Sequence, residues 1–267
     1  MDAAKIPNLI EFLGASDQPH RCIYHSNDDP ALEAVAPWLV QLDPHADFTK
    51  KLFTSSDLPW DFWEKKPGFY LRSNQDIDQL TQHFRRYVQV PDPTGKHMFF
   101  RFWEPDVLAL YLQFHAIDAR QRVEGFVSQN TFLVPDLHHR HVVSAMVSDP
   151  SCGVRHGRWP NLIEDLSHIR FELFLRGLNA KICAKMPALL QLADDKREAG
   201  VRKMALAAFD LGLKSETSIT RYVQATLILG HGPEKDAQFA DLIHSKQHEL
   251  DRSRKILARA KHTSETP

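Results

Sequence analysis

The chain has 267 residues, 43% of them hydrophobic, and a formal net charge of −1. This length is typical of one large domain or of two lobes, and the hydrophobic fraction suffices for a sizeable core. No apolar run approaches the roughly 20 residues that cross a bilayer, the first residues lack a signal-peptide pattern, and three cysteines are too few for a disulfide framework. We therefore expect a cytoplasmic protein without a membrane partner.

The charge is divided unevenly along the chain. Residues 1–150 contain 14 basic and 20 acidic side chains, whereas residues 151–267 contain 19 and 14. Neither half is basic enough to indicate a nucleic-acid partner. The division favours two surfaces with different partners or two lobes that attract each other, and uneven solvated faces explain it equally well.

Strand and helix signals alternate through the first 145 residues. Short β-prone runs, each ended by loop residues, predict strands within residues 21–25, 38–42 and 68–73. Ser73 or Asn74 then suits the N-cap of a helix. The apolar face of this helix is predicted from spacings of three and four residues, and comprises Ile77, Leu80, Phe84 and Tyr87.

A second group of elements follows the turn at residues 91–95. Residues 98–103 are the most β-prone segment of the chain, Pro105 suits the first turn of another helix, and a further strand is predicted within residues 125–134. This alternation predicts an α/β or α+β lobe over residues 1–150, with a mixed sheet flanked by helices.

The pattern becomes helical after about residue 158. Asn161 and Glu164 have the spacing of a capping box, and Gly212 is placed as the C′ residue of a later helix. Further helices are predicted over residues 197–211, 218–229 and 235–260. We therefore predict an all-helical lobe over residues 151–267, with a boundary in the turn-rich segment 149–153.

Four segments of the first lobe occur in an order that resembles one protein family. They are Ala36-Pro37-Trp38-Leu39-Val40-Gln41-Leu42, Gly68-Phe69-Tyr70-Leu71-Arg72-Ser73, a helix with His83-Phe84-Arg85, and a run from Phe100 to Leu108. Over about residues 20–135 this series is similar to the adaptor, or chaperone, domain encoded beside spike and toxin genes in type VI secretion clusters. Glu104 stands where that family usually has Asp, and Asp106 where a basic residue is common.

The resemblance implies a non-catalytic adaptor that needs no cofactor. Such adaptors bind the N-terminal region of a toxin and the C-terminal region of the VgrG spike protein, and they join the two before secretion. The resemblance does not decide which lobe binds which partner.

Candidate partner-binding residues begin with two of the five tryptophans. Pro59 can open a helical turn that places Trp60 and Trp63 on one face. Tryptophan anchors interfaces and fills cores for the same reason, its large area. We expect Trp63 to lie in the core and Trp60 to be partly exposed.

Arg101 and Trp103 are the next candidates, within the aromatic run. Arg101 either contacts a partner or faces outward in an ion pair with Glu104 or Asp106, because strand alternation places the neighbouring phenylalanines on the opposite face. In the last predicted helix, residues 246–261 contain six basic and two acidic side chains. The candidates there are Arg252, Arg254 and Lys255, in a basic contact surface or in a solvated helix end whose cations complement the dipole.

Three other functions are weaker interpretations of the sequence. Asp136, His138–His141, Cys152 and His156 supply zinc-ligand types, but their spacing matches no common zinc motif. The sequence lacks the usual hydrolase motifs, and Ser73 fits an N-cap better than a nucleophile. We therefore predict no metal site and no catalytic residue, with an unrecognised hydrolase as an open alternative.

A DNA-binding or regulatory protein is the other open alternative. Residues 212–215 lie between two predicted helices, as in a helix-turn-helix motif. The helix that follows is more apolar than a helix that faces a DNA groove, and a buried bundle helix explains it better.

Overall fold

The computed structural model describes residues 1–24, 30–91, 94–113, 125–138, 140–146 and 162–265. The chain divides into two compact units, Met1–Ile169 and Arg170–Pro267. Small sheets and helices form the first unit, and the described residues of the second are helical, so the predicted fold class is confirmed. The segment 149–153, predicted as the boundary between lobes, lies outside the described residues.

The N-terminal unit is built from short elements. Its helices include α1 (Leu9–Gly14), α2 (Pro30–Glu33), α3 (Asp47–Leu52), α4 (Ile77–Arg85) and α5 (Pro105–Gln113). Its strands are β1 (His20–Cys22), β2 (Trp38–Val40), β3 (Tyr70–Arg72), β4 (Gln89–Pro91), β5 (His97–Phe99), β6 (Thr131–Asp136) and β7 (His141–Ala145). The described strands pair antiparallel in three separate sheets, β1–β2, β3–β6–β7 and β4–β5, and not in the single mixed sheet that we expected.

The aromatic run after β5 explains part of this difference. The predicted strand 98–103 stops at Phe99, because Phe100, Phe102 and Trp103 are all buried instead of alternating between two faces. The ring of Phe102 packs on Phe84 and Phe126, with centroids 5.4 and 5.3 Å apart. The run therefore contributes a core and only a three-residue strand.

Helix α4 begins later than the predicted caps. The carboxylate of Asp76 accepts a hydrogen bond from the amide of Gln79 (2.7 Å), and the side chain of Gln79 accepts one from the amide of Asp76 (3.2 Å). This reciprocal pair is a capping box. The hydroxyl of Ser73 accepts from the amide of Gln75 (3.0 Å) in the turn before it.

The C-terminal unit is a helical bundle. Its helices are the end of α6 (Leu162–Lys185), then α7 (Asp194–Asp210), α8 (Glu216–Leu229), α9 (Ala240–Ile243) and α10 (Glu249–Glu265). One core joins α6, α7 and α8 around Leu178, Val201 and Tyr222, and another joins α8 to α10 around Phe239 and Ile256.

The ends of these helices follow the sequence signals in part. Gly212 has a φ of +74° directly after α7, as the C′ prediction requires. The predicted helix 235–260 is interrupted at its start and between Ile243 and Glu249. At these two places the side chains of Asp236 and Ser245 accept hydrogen bonds from the amides of Gln238 (3.1 Å) and Gln247 (3.1 Å), which compete with a continuous helix. Among the described residues, no helix is both long enough and apolar enough for a membrane crossing.

Candidate functional site

A groove of about 580 Å³ opens between β2 and β3 in the N-terminal unit. One wall is β2 with the residues that follow it, and the other is the segment 67–73. Apolar side chains that line it include Leu52, Leu80 and Trp103. Its volume is in the range of pockets that bind ligands.

Residues 1–3 lie between the two walls at one end of this groove. The amide of Trp38 donates to the carbonyl oxygen of Met1 (2.8 Å), and the amide of Ala3 donates to the carbonyl oxygen of Ala36 (3.1 Å). On the other side, the amide of Asp2 donates to the carbonyl oxygen of Pro67 (3.0 Å). Residues 1–3 are thus hydrogen-bonded to both walls of the groove.

Farther along the groove, the backbone edges of both walls are open. The amide of Ile23 donates to the carbonyl oxygen of Pro37, and the amide of Gln41 donates to that of Pro19, on either side of β1. The alternation of an antiparallel ladder therefore turns Leu39 toward β1 and Val40 away from it. Among the described residues, none bonds to the backbone of Val40. Likewise, no described residue outside β6 bonds to the backbone amides or carbonyls of residues 69–72.

Three polar atoms of groove-lining residues are buried without a hydrogen-bond partner among the described residues. They are the hydroxyl oxygen of Tyr70, the Oε1 atom of Gln75 and the Nε1 atom of Trp103. Burial raises the pKa of Tyr70 to about 12, and its ring stacks on Phe53 with centroids 4.9 Å apart. A buried polar group without a partner costs about 1–3 kcal/mol.

An aromatic surface lies at Phe53, Leu58, Trp60 and Trp63. The first three side chains are 56%, 46% and 43% exposed, whereas Trp63 is half-buried with its ring 6.3 Å from that of Phe53. The expectation that Trp60 is partly exposed is confirmed. We call these four residues the aromatic surface.

The predicted helical face of Trp60 and Trp63 is wrong. Trp60 lies in a turn, and Trp63 begins a separate 3₁₀ helix, Trp63–Lys65. The ammonium group of Lys65 donates to the carbonyl oxygens of Leu58, Pro59 and Asp61, and so holds the loop in this turn. The fully buried side chain of the segment is Phe62, which takes the core position expected for Trp63.

Arg101 belongs to a chain of ion pairs. Its guanidinium group lies 3.3 Å from the buried carboxylate of Asp2 and 2.5 Å from that of Glu104, and Glu104 also pairs with Lys5 at 2.8 Å. The ion-pair interpretation of Arg101 is thus confirmed. Trp103 is only 2% exposed, so the structure contradicts its assignment as an accessible contact residue.

The basic residues of α10 have different environments. Arg252 points into the unit, where it donates to the carbonyl oxygens of Leu211 (2.6 Å) and Ile243 (3.3 Å). Its side chain is half-buried, and its guanidinium group is engaged within the unit. Arg254 and Lys255 are exposed, and Arg254 pairs with Asp251 at 3.0 Å.

The described residues give no support to the alternative metal site or to the alternative DNA-binding helix. His139, Cys152 and His156 lie outside the described residues, and the described ones contain no group of three or more potential ligands placed to hold a metal ion. Helix α8, the candidate DNA-facing helix, buries Tyr222 and Val223, and its Arg221 donates to the carbonyl oxygen of Leu250 (3.0 Å).

Sequence patterns predicted both groove walls as strands but did not indicate a groove. The unpaired edge of Val40 and the buried polar atoms of Tyr70 and Gln75 depend on how distant segments meet. No curated protein and no solved structure matches the chain significantly. The family described as "Domain of unknown function (DUF4123)" matches residues 1–123, which contain both walls of the groove.

Proposed function

We propose that this protein is a cytoplasmic type VI secretion adaptor. It binds the N-terminal region of a toxin and the C-terminal region of the VgrG spike protein, joins them before secretion, and turns over no substrate. The proposal rests on the motif series within residues 20–135, and the DUF4123 match over residues 1–123 supports it because the two spans largely coincide.

The observation that carries the proposal is where those motifs lie. The segment 36–42 forms one wall of the groove and the segment 68–73 forms the other. The remaining two motifs contribute Phe84 and Trp103, whose side chains lie against the groove but are almost fully buried. Four segments that are distant in the sequence therefore meet around one groove, and this convergence supports a binding site there.

The two departures from the family pattern are compatible with this fold. Glu104 is long enough to bridge Arg101 and Lys5. Asp106 forms an ion pair with Lys66 at 2.7 Å. Both acidic side chains thus hold the start of α5 against neighbouring segments.

The exposed apolar residues also suit a protein partner. Phe53, Leu58 and Trp60 are large, exposed and close in sequence to one another. The rings of Phe53 and Trp63 are 6.3 Å apart. Exposed apolar clusters mark interaction sites, and tryptophan is enriched among the residues that dominate binding. The aromatic surface gives the adaptor a contact region in addition to the groove.

Co-expression with the toxin encoded beside this protein tests the proposal. We expect the full chain to co-elute with the toxin in size-exclusion chromatography at micromolar concentration. A toxin without its N-terminal region is the control and should elute separately. Separate elution of the complete toxin would contradict the proposal.

A further inference from the structure

We propose that the groove between β2 and β3 binds an extended, apolar segment of the toxin as an added β-strand. This inference rests on the proposed function and assigns a mode of binding to it. The occupant is a polypeptide in extended conformation, which bonds through its backbone to both walls and places alternate side chains in the groove.

The bonds of residues 1–3 show how a chain fits between the walls. At that end, backbone amides and carbonyls connect residues 1–3 with both 36–38 and Pro67. A strand farther along the same line meets Val40 on one side and residues 69–72 on the other. Among the described residues, the backbone of Val40 has no partner on this side, and residues 69–72 bond only to β6. The remaining backbone groups of both walls are therefore available to an added strand.

The lining of the groove favours apolar side chains on this strand. Leu39, Leu42 and Leu71 line the walls, and Leu80 and Phe84 line the space between them. Burial of apolar surface favours binding, so this lining favours large apolar residues at alternate positions of the peptide.

The backbone edges distinguish an extended chain from other apolar ligands. A helix has already satisfied its backbone groups internally, and a lipid chain has none to offer. Either ligand would fill the volume but would leave the backbone of Val40 unpaired. A peptide strand can supply an amide and a carbonyl group to that backbone.

A proline substitution tests the backbone contact separately from the side chain. Val40→Pro removes an amide that faces the groove and is not needed for the pairing with β1, and proline is tolerated at such edge positions. Val40→Ala, the matched control, keeps the amide. Overlapping synthetic peptides that cover the N-terminal region of the toxin are titrated against both variants of the full chain by fluorescence anisotropy.

We expect Val40→Pro to weaken binding of the best peptide by about tenfold, the effect of 1.4 kcal/mol, and Val40→Ala to change it by less than about threefold. Unchanged peptide binding by folded Val40→Pro would overturn the inference while leaving the adaptor function intact. If the complete toxin does not bind the unmodified chain, the proposed function itself fails. If Val40→Pro instead turns a dimer into a monomer and leaves peptide binding unchanged, a second copy of this chain is the occupant and the inference is wrong.

A second measurement needs no variant of the protein, and so remains decisive if Val40→Pro does not fold. The best peptide is N-methylated at one position at a time and titrated against the unmodified chain. In a strand, successive amides point to opposite sides, so the amide at each peptide position faces one wall or the other. Loss of binding at positions along an extended register supports strand addition, whereas full tolerance of N-methylation at every position contradicts it.

Discussion

The guanidinium group of Arg252 donates a hydrogen bond of 2.6 Å to the carbonyl oxygen of Leu211, and so connects α10 to the end of α7. The same side chain reaches Ile243 at 3.3 Å. Helix C-termini leave carbonyl groups without intrahelical partners. Arg252 therefore stabilises the bundle from within, although the sequence placed it among the surface cations.

Replacement of Arg252 should destabilise the C-terminal unit. Arg252→Ala removes charge-assisted hydrogen bonds to two carbonyl groups, and we expect a loss of about 1–3 kcal/mol in the free energy of unfolding. Arg254→Ala is the matched control, because Arg254 is exposed and its pair with Asp251 is of a kind worth only about 0–1 kcal/mol. Urea denaturation measures both values, and equal values would contradict the assigned role of Arg252.

Two glycines provide a second comparison. Gly212 and Gly230 have φ values of +74° and +75°, so alanine at either position is strained by about 1 kcal/mol. A Cβ atom at Gly212 would lie 3.4 Å from the Nη2 atom of Arg252, whereas at Gly230 it would have open space. A distance of 3.4 Å is ordinary van der Waals contact, so the backbone strain decides both cases. We expect Gly212→Ala and Gly230→Ala each to lower the melting temperature, and a variant as stable as the unmodified protein in thermal unfolding would refute the strain at its position.

Glu249 should make part of the stability depend on pH. Partial burial by itself raises its pKa, but hydrogen bonds from the amides of Ser215 and Lys214 outweigh this effect and hold the pKa below its ordinary value of 4.5. A lowered pKa in the folded state stabilises the fold above that value, and the contribution is lost as the pH falls through the folded pKa. Glu249→Gln should therefore lower the melting temperature at pH 7.

The difference in melting temperature between the two proteins should shrink as the pH falls below 4.5. At low pH the carboxyl group of the unmodified protein becomes neutral, as the amide of the variant always is. A constant difference between pH 7 and the acidic end of the titration would show that the charge of Glu249 contributes nothing.

The aromatic surface and the core beneath it should respond differently to truncation. Phe62 is fully buried, so we expect Phe62→Ala to cost about 3–5 kcal/mol. Trp60 is 43% exposed, and Trp60→Ala should leave the melting temperature nearly unchanged while weakening the binding of toxin or spike. A folded Trp60→Ala variant that binds both partners with unchanged affinity would remove this residue from the interface.

Local signals predicted much of the fold. Periodicity located α4, α7 and α8, and the αL conformation at Gly212 followed from its position after an apolar helix pattern. The same signals misplaced the cap of α4, since Ser73 and Asp76 have equivalent local chemistry and only Asp76 is reciprocated by Gln79. The broken helix after Lys235 was missed because its apolar spacing continues through the break.

The candidate site was less predictable, because it depends on contacts between distant segments. Tryptophan and arginine are residue types that are common at interfaces. Trp103 is nevertheless buried, and Arg252 bonds to carbonyl groups of its own unit. Among the described residues, residues 1–3 bond to the backbone of Trp38, whereas none bonds to that of Val40. Such an edge has no signature in the amino-acid pattern of a strand.

We propose that this protein joins a toxin to the secretion spike. Size-exclusion chromatography of three components tests this directly: the complete toxin, the C-terminal region of its VgrG spike protein, and this chain. We expect toxin and spike to elute together only when this chain is present, with all three in one peak. Co-elution of toxin and spike without this chain, or separate elution in its presence, would show that this protein does not join them.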